Sequence, residues 1–140
     1  MISRAHRFHG YNALRLVYGR GQTVRSQLLA VKYLPNPKRT SYRAAVVVSK
    51  KVHKSAVVRA RIRRRLYEII RINSGQITQP YDIVVIVFSE TIATMEATKL
   101  QDMLVDQLER AGLMSHNVDD STTGQQTETR GIVDTKEQIS

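Results

Sequence analysis

The run SAVVRARIRRRLYEIIRIN, from Ser55 to Asn73, constrains the fold more than any other segment. Val58, Ile62, Leu66 and Ile69 recur at steps of 4, 4 and 3, which draws one apolar stripe along an α-helix. Ser55 makes a good N-cap, and Asn73 followed by Gly75 makes a good stop. A helix with one apolar stripe must lay it on a second layer. The rest of its surface is dominated by arginine. Arg59 and Arg63 border one edge of the stripe, Arg61 and Arg65 border the other, and Arg64 and Arg71 face away. Glu68 stands four residues after Arg64 and three before Arg71, so it can pair with either. Like charges so close destabilise a helix, and an outside anion is the expected compensation.

The second layer reads as a small sheet. Residues 82–88 (DIVVIVF) lack alternation and predict a strand buried on both faces. Residues 24–33 (VRSQLLAVKY) and 43–49 (RAAVVVS) predict two more, and the turn-rich PNPKRTS at 35–41 suggests that they form a hairpin. Residues 10–18 place Leu14, Val17 and Tyr18 on one side of a short helix, with Asn12 as cap and Gly19 and Gly21 at its end. Residues 95–111 carry Leu100, Leu104 and Leu108 at steps of four, ahead of Gly112. The order α-β-β-α-β-α, with room for a further short strand, predicts an α+β fold of helices on one sheet. Residues 1–9 read as a basic arm. The segment after Met114 is polar and reads as a disordered tail, which divides the chain into a domain at 1–113 and a tail at 114–140.

Charge narrows the function. The whole chain carries +10, but residues 1–71 hold 18 Lys and Arg against one acid, Glu68. A half so basic needs a polyanion, with nucleic acid ahead of a membrane surface. The longest apolar run, Ile83 to Phe88, is far short of the ~20 residues of a spanning helix. The first residues lack the apolar stretch of a secretory signal. With no Cys, thiolate chemistry and cysteine zinc sites are excluded, and a cytoplasmic location is expected. His6, His9 and His53 have no acid near them in sequence, and no nucleotide-loop, metalloprotease or nucleophile-elbow motif occurs. No catalytic or metal-binding residue is therefore expected on the protein. The candidate RNA-binding set is Lys50, Lys51, Lys54, Arg59, Arg61, Arg63, Arg64 and Arg65, dense in the guanidinium forks that suit phosphate. Tyr18, Tyr33, Tyr42 and Tyr67 lie among these cations and could stack on unpaired bases, or simply pack in the core.

The run VVVSKKVHKSAVVRARIRRRLYEIIR resembles the signature of the bacterial ribonuclease P protein family: a strand, a V-S-K-K segment and an A-V-x-R-N-R helix. HRF at 6–8, the Leu14, Val17, Tyr18, Gly21 spacing and QPYDIVVIV at 79–87 resemble further pieces of that pattern in the same order. The resemblance covers roughly residues 4–112. Three positions depart from it. Ala60 stands for the Asn of the R-N-R triplet, Leu14 stands for a Phe, and the loop Val52 to Ser55 carries one residue more.

The resemblance implies a mostly antiparallel sheet like that of the second domain of ribosomal protein S5, with a left-handed βαβ crossover. It implies a protein subunit of a ribonucleoprotein endonuclease that removes the 5′ leader of precursor tRNA. The chemistry and its Mg²⁺ would sit on the RNA subunit. The basic helix and Lys50, Lys51 and Lys54 would dock on that RNA, as one protein to one RNA. Leu14, Tyr18, Val31 and Tyr33 would line a cleft for the single-stranded leader. A structural RNA-binding protein, such as a ribosomal protein, is the alternative that composition alone does not separate.

Overall fold

The computed structural model describes His6 and residues 11–114. In chain order these form α1 (Tyr11–Arg20), β1 (Gln22–Arg25), β2 (Leu29–Pro35), β3 (Arg43–Val47), α2 (Ala56–Ile72), β4 (Tyr81–Val87) and α3 (Ala97–Arg110). Two 3-10 turns, Ser74–Gln76 and Glu90–Ala93, flank β4. The remaining arm residues and the tail from 115 lie outside the described residues. Leu113 and Met114 are buried in the main core, so Met114 belongs with the domain rather than with the tail.

The strand order is β1-β2-β4-β3. β4 runs antiparallel to β2 and parallel to β3. The hairpin expected between residues 24–33 and 43–49 therefore does not form, because β4 lies between them. The physical reason is in β4 itself. Its unbroken apolar run has to be covered on both faces, and a central position provides that. The single strand expected over 24–33 is instead two antiparallel strands, β1 and β2. The chain reverses at Ser26, whose backbone N–H and Oγ both donate to the Leu29 carbonyl, at 2.9 and 3.0 Å. No Gly, Pro or Asn marks this turn.

Each face of the sheet has its own cover. Leu29 and Val31 of β2, Ala44 and Val46 of β3 and Ile83, Val85 and Val87 of β4 join Ile62, Leu66 and Ile69 of α2 and Leu100, Leu104 and Leu108 of α3. Burying each such aliphatic side chain contributes about 1.5–3 kcal/mol. On the opposite face Val17 of α1 packs on Ala45 and Val84, with Ala13, Leu14, Leu34, Val47 and Ile86 around them. α2 has the caps its sequence implies: Ser55 Oγ accepts from Val58 N at 3.4 Å, and Asn73 ends the helix. α1 begins at Tyr11, so Asn12 lies inside it rather than capping it.

Two polar side chains, Asp82 and Gln107, are buried. Asp82 accepts from Arg43 Nε and Nη2, both at 2.9 Å, and from Asn36 Nδ2 at 3.0 Å. Gln107 Nε2 donates to the carbonyls of Val24 and Leu29, at 2.8 and 3.2 Å, which ties α3 to the β1–β2 turn.

Gly21 marks the closest approach of α1 to the sheet. Its N–H donates to Val17 O at 2.7 Å. A Cβ there would lie 2.5 Å from Val17 O and 2.9 Å from Tyr33 O, both backbone atoms that cannot swing aside. Gly21→Ala is expected to destabilise the fold by about 2 kcal/mol, the usual size for overpacking. The denaturation midpoint measures this, and an unchanged midpoint would mean that the helix end lifts without strain.

Candidate nucleic-acid interface

The end of β3 leads into a turn at 49–52, closed by Val52 N donating to Ser49 O at 3.0 Å. It presents Lys50, Lys51 and Lys54 to solvent. His53 is half-buried, and its Nδ1 accepts from Ser55 N at 3.0 Å, so it serves the helix start and not a metal. The turn and the first three turns of α2 thus bring the eight expected cations into one region.

Those eight do not all have the same environment. Arg59 Nη1 donates to the carbonyls of His53 and Lys54, at 2.9 and 2.8 Å. Arg61 Nε donates to Ala93 O at 2.9 Å. Arg65 grips the far side of the 90–93 turn, with Nη1 on Ile92 O at 2.6 Å and Nη2 on Met95 O at 2.5 Å. Lys50, Lys51, Lys54, Arg63 and Arg64 make no hydrogen bond or ion pair among the described residues. The repulsion expected along α2 is therefore relieved in part by backbone carbonyls and not by an outside anion alone. Arg61 and Arg65 sit on one edge of the helix, as the wheel implies, and that edge meets the 90–95 segment.

Glu68 chooses Arg71 over Arg64, with carboxylate contacts at 2.9 and 2.5 Å. The Arg71 guanidinium holds the Glu68 carboxyl down at about 2. Glu68 is thus ionised at neutral pH and does not neutralise Arg64. Glu90 is an acid that borders the basic region from the 90–93 turn. It lines both an open groove of about 450 Å³ with His53, Val58, Arg61, Thr91 and Thr94 and an adjoining one with Lys50, Lys51 and Lys54. Among the described residues no three His, Asp or Glu side chains converge as a metal site would require.

The expected leader cleft needs a correction. Side chains alternate across a strand, so Val31 and Tyr33 share the face that α2 and α3 cover. Val31 is fully buried in the main core, and Tyr33 packs edge-on against Tyr81. Neither joins Leu14 and Tyr18, which belong to the opposite face. The register there sets Lys32 opposite Thr23, with Lys32 Nζ on Thr23 Oγ1 at 3.1 Å, and sets Arg25 opposite Ala30. Arg25 lies over the Phe88 ring, 4.5 Å from its centroid. Leu14, Tyr18, Arg25, Lys32 and Phe88 are thus the residues on the α1 side that combine rings and cations. Phe88 stands in the sequence as the last residue of an apolar run, and only the register shows where it goes. Partial burial pushes the Tyr18 hydroxyl up from its usual range, so it remains a donor at neutral pH. Tyr42 and Tyr67 are core residues. The Tyr67 hydroxyl accepts from Val46 N at 3.0 Å along the open edge of β3.

The comparisons fit this architecture. The family model described as Ribonuclease P matches residues 2–112. The ribonuclease P protein component of Roseiflexus castenholzii is 32% identical over 120 residues, which cover 86% of this chain and 97% of that protein. The Staphylococcus aureus RNase P protein structure superposes with a TM-score of 0.71 at 25% identity, covering 80% of this chain and 100% of that one. The Thermotoga maritima RNase P protein has the same fold, with a TM-score of 0.67, covering 74% and 96% of the two chains. No helix among the described residues is long and apolar enough to cross a membrane. From a match over nearly the whole described domain, and from a sheet and helices that superpose on its members, the chain belongs to the ribonuclease P protein family.

Proposed function

We propose that the protein is the RNA-binding subunit of a tRNA-processing ribonucleoprotein, with the catalytic centre on its RNA partner. The observation that carries this is the set of cations on the 49–54 turn and α2 whose charged ends meet no acceptor among the described residues: Lys50, Lys51, Lys54, Arg63 and Arg64. A folded protein leaves such a set unneutralised where a phosphate backbone is to be met. The second element is the α1 side of the sheet. A leader strand would lie along Leu14, Tyr18, Lys32, Arg25 and Phe88, with bases on the rings and phosphates at the two cations. The cations that would meet RNA are aimed outward, and among the described residues no acids converge as hydrolysis on the protein would need. Mg²⁺ belongs to the RNA in this reading, and the protein screens the repulsion between two polyanions. A reducing, intracellular compartment is where such a complex would work.

The test is precursor-tRNA cleavage by the protein alone, by a bacterial ribonuclease P RNA alone and by both, at low and high Mg²⁺. Cleavage at low Mg²⁺ is expected only with both present. An absence of stimulation by the protein would favour a purely structural RNA-binding role, and cleavage by the protein alone would reverse the assignment of chemistry to RNA.

A further inference from the structure

We infer that Arg59 and Arg65 are positioning residues, which set the shape of the RNA-docking surface through the backbone carbonyls they hold. The inference rests on the docking reading above and divides its arginines by geometry. Arg65 holds Ile92 O with Nη1 and Met95 O with Nη2, which commits the end of its planar fork to backbone. It pins the 90–95 segment against α2. Arg59 bridges the carbonyls of His53 and Lys54, the last residues before the helix cap. The 49–54 turn that these carbonyls end holds three of the five unpartnered cations. One guanidinium bridging two successive carbonyls fixes the direction in which the 49–54 turn leaves the helix, and so the spacing of Lys50, Lys51 and Lys54 relative to Arg63 and Arg64. Arg61 holds one carbonyl, Ala93 O, through Nε, and lines the groove with Thr91 and Thr94.

A lysine keeps the charge and loses the fork, which separates the two roles. Binding of a bacterial ribonuclease P RNA transcript is measured across about 50 to 200 mM salt, where each neutralised phosphate adds roughly 0.7–0.9 to the slope of log K against log salt. Arg59→Lys and Arg65→Lys are each expected to weaken binding about tenfold with the slope unchanged, because the surface must then be ordered at the moment of binding. Arg64→Ala is expected to lower the slope by about one. In the RNA-free protein, Arg59→Lys should speed amide exchange across residues 50–54 while the β4 amides keep their protection. Lysine variants that bind and exchange like the parent would overturn the inference, as would an Arg59→Ala slope that drops by one like that of Arg64→Ala. A parent chain with no salt-dependent RNA binding would instead sink the docking reading, and the inference with it.

Discussion

Replacing Lys50, Lys51, Lys54, Arg63 and Arg64 together by alanine is expected to weaken RNA binding by about 10²–10³-fold at moderate salt and to lower the salt slope by about four. The magnitude follows from counterion release, since each of the five heads that meets a phosphate contributes separately. The fold should be unaffected, because none of the five makes a bond within the described domain. The denaturation midpoint should stay or rise slightly as repulsion along α2 falls. An affinity that drops while the slope holds would mean that the five act through the shape of the surface, not by meeting phosphates. The same substitutions should abolish stimulation of cleavage at low Mg²⁺ and leave cleavage by the RNA alone at high Mg²⁺ untouched.

The second large effect is on stability. Asp82→Ala is expected to cost about 3 kcal/mol. Asp82 stands directly across from Arg43 in the β3–β4 register and is the common acceptor for Arg43 and Asn36. Its removal leaves a guanidinium at a buried sheet end without its partner, a loss that usually costs 3–5 kcal/mol. Arg43 keeps 22% of its side-chain surface, so water recovers part of that, and the lower end applies. Against a typical total of about 5–15 kcal/mol, this is a large fraction. Urea denaturation measures it. The salt slope for RNA should not change, because Asp82 lies at the end of β4 away from the 49–54 turn. A loss below about 1 kcal/mol would mean that Arg43 rehydrates fully once its partner is gone.

Some elements were legible for plain physical reasons. α2 announced itself because Ile62, Leu66 and Ile69 repeat at helical spacing between two good caps. β4 was visible because its apolar run is unbroken, and the same feature implied a central position that the local hairpin logic around PNPKRTS obscured. The β1–β2 turn was not legible, since Ser26 reverses the chain through its side chain without a glycine or asparagine. The four residues expected for a cleft do not share one face of the sheet, and they differ by one position along β2 from a set that would. With a period of two, that small difference sends Val31 and Tyr33 into the core and leaves out Lys32. The division among the arginines was invisible for a different reason. Their acceptors are backbone carbonyls of aperiodic segments: the loop before the helix for Arg59, and the 90–95 segment, some thirty residues further along the chain, for Arg61 and Arg65.

The strand order also sets a time order. β4 holds β2 on one side and β3 on the other, with Leu29 facing Val87 and Pro35 facing Tyr81. Both neighbours emerge during synthesis well before it does, and they do not pair with each other. A nascent chain that has passed α2 therefore carries most of the protein's positive charge on segments that have no sheet to fold against. Only when residues 81–95 arrive does the sheet close, and only then do Arg61 and Arg65 find their carbonyls. Such non-local closure is slow compared with helix formation. The polycation is thus made first and shaped last, so the surface proposed to meet RNA takes its form in a single late step.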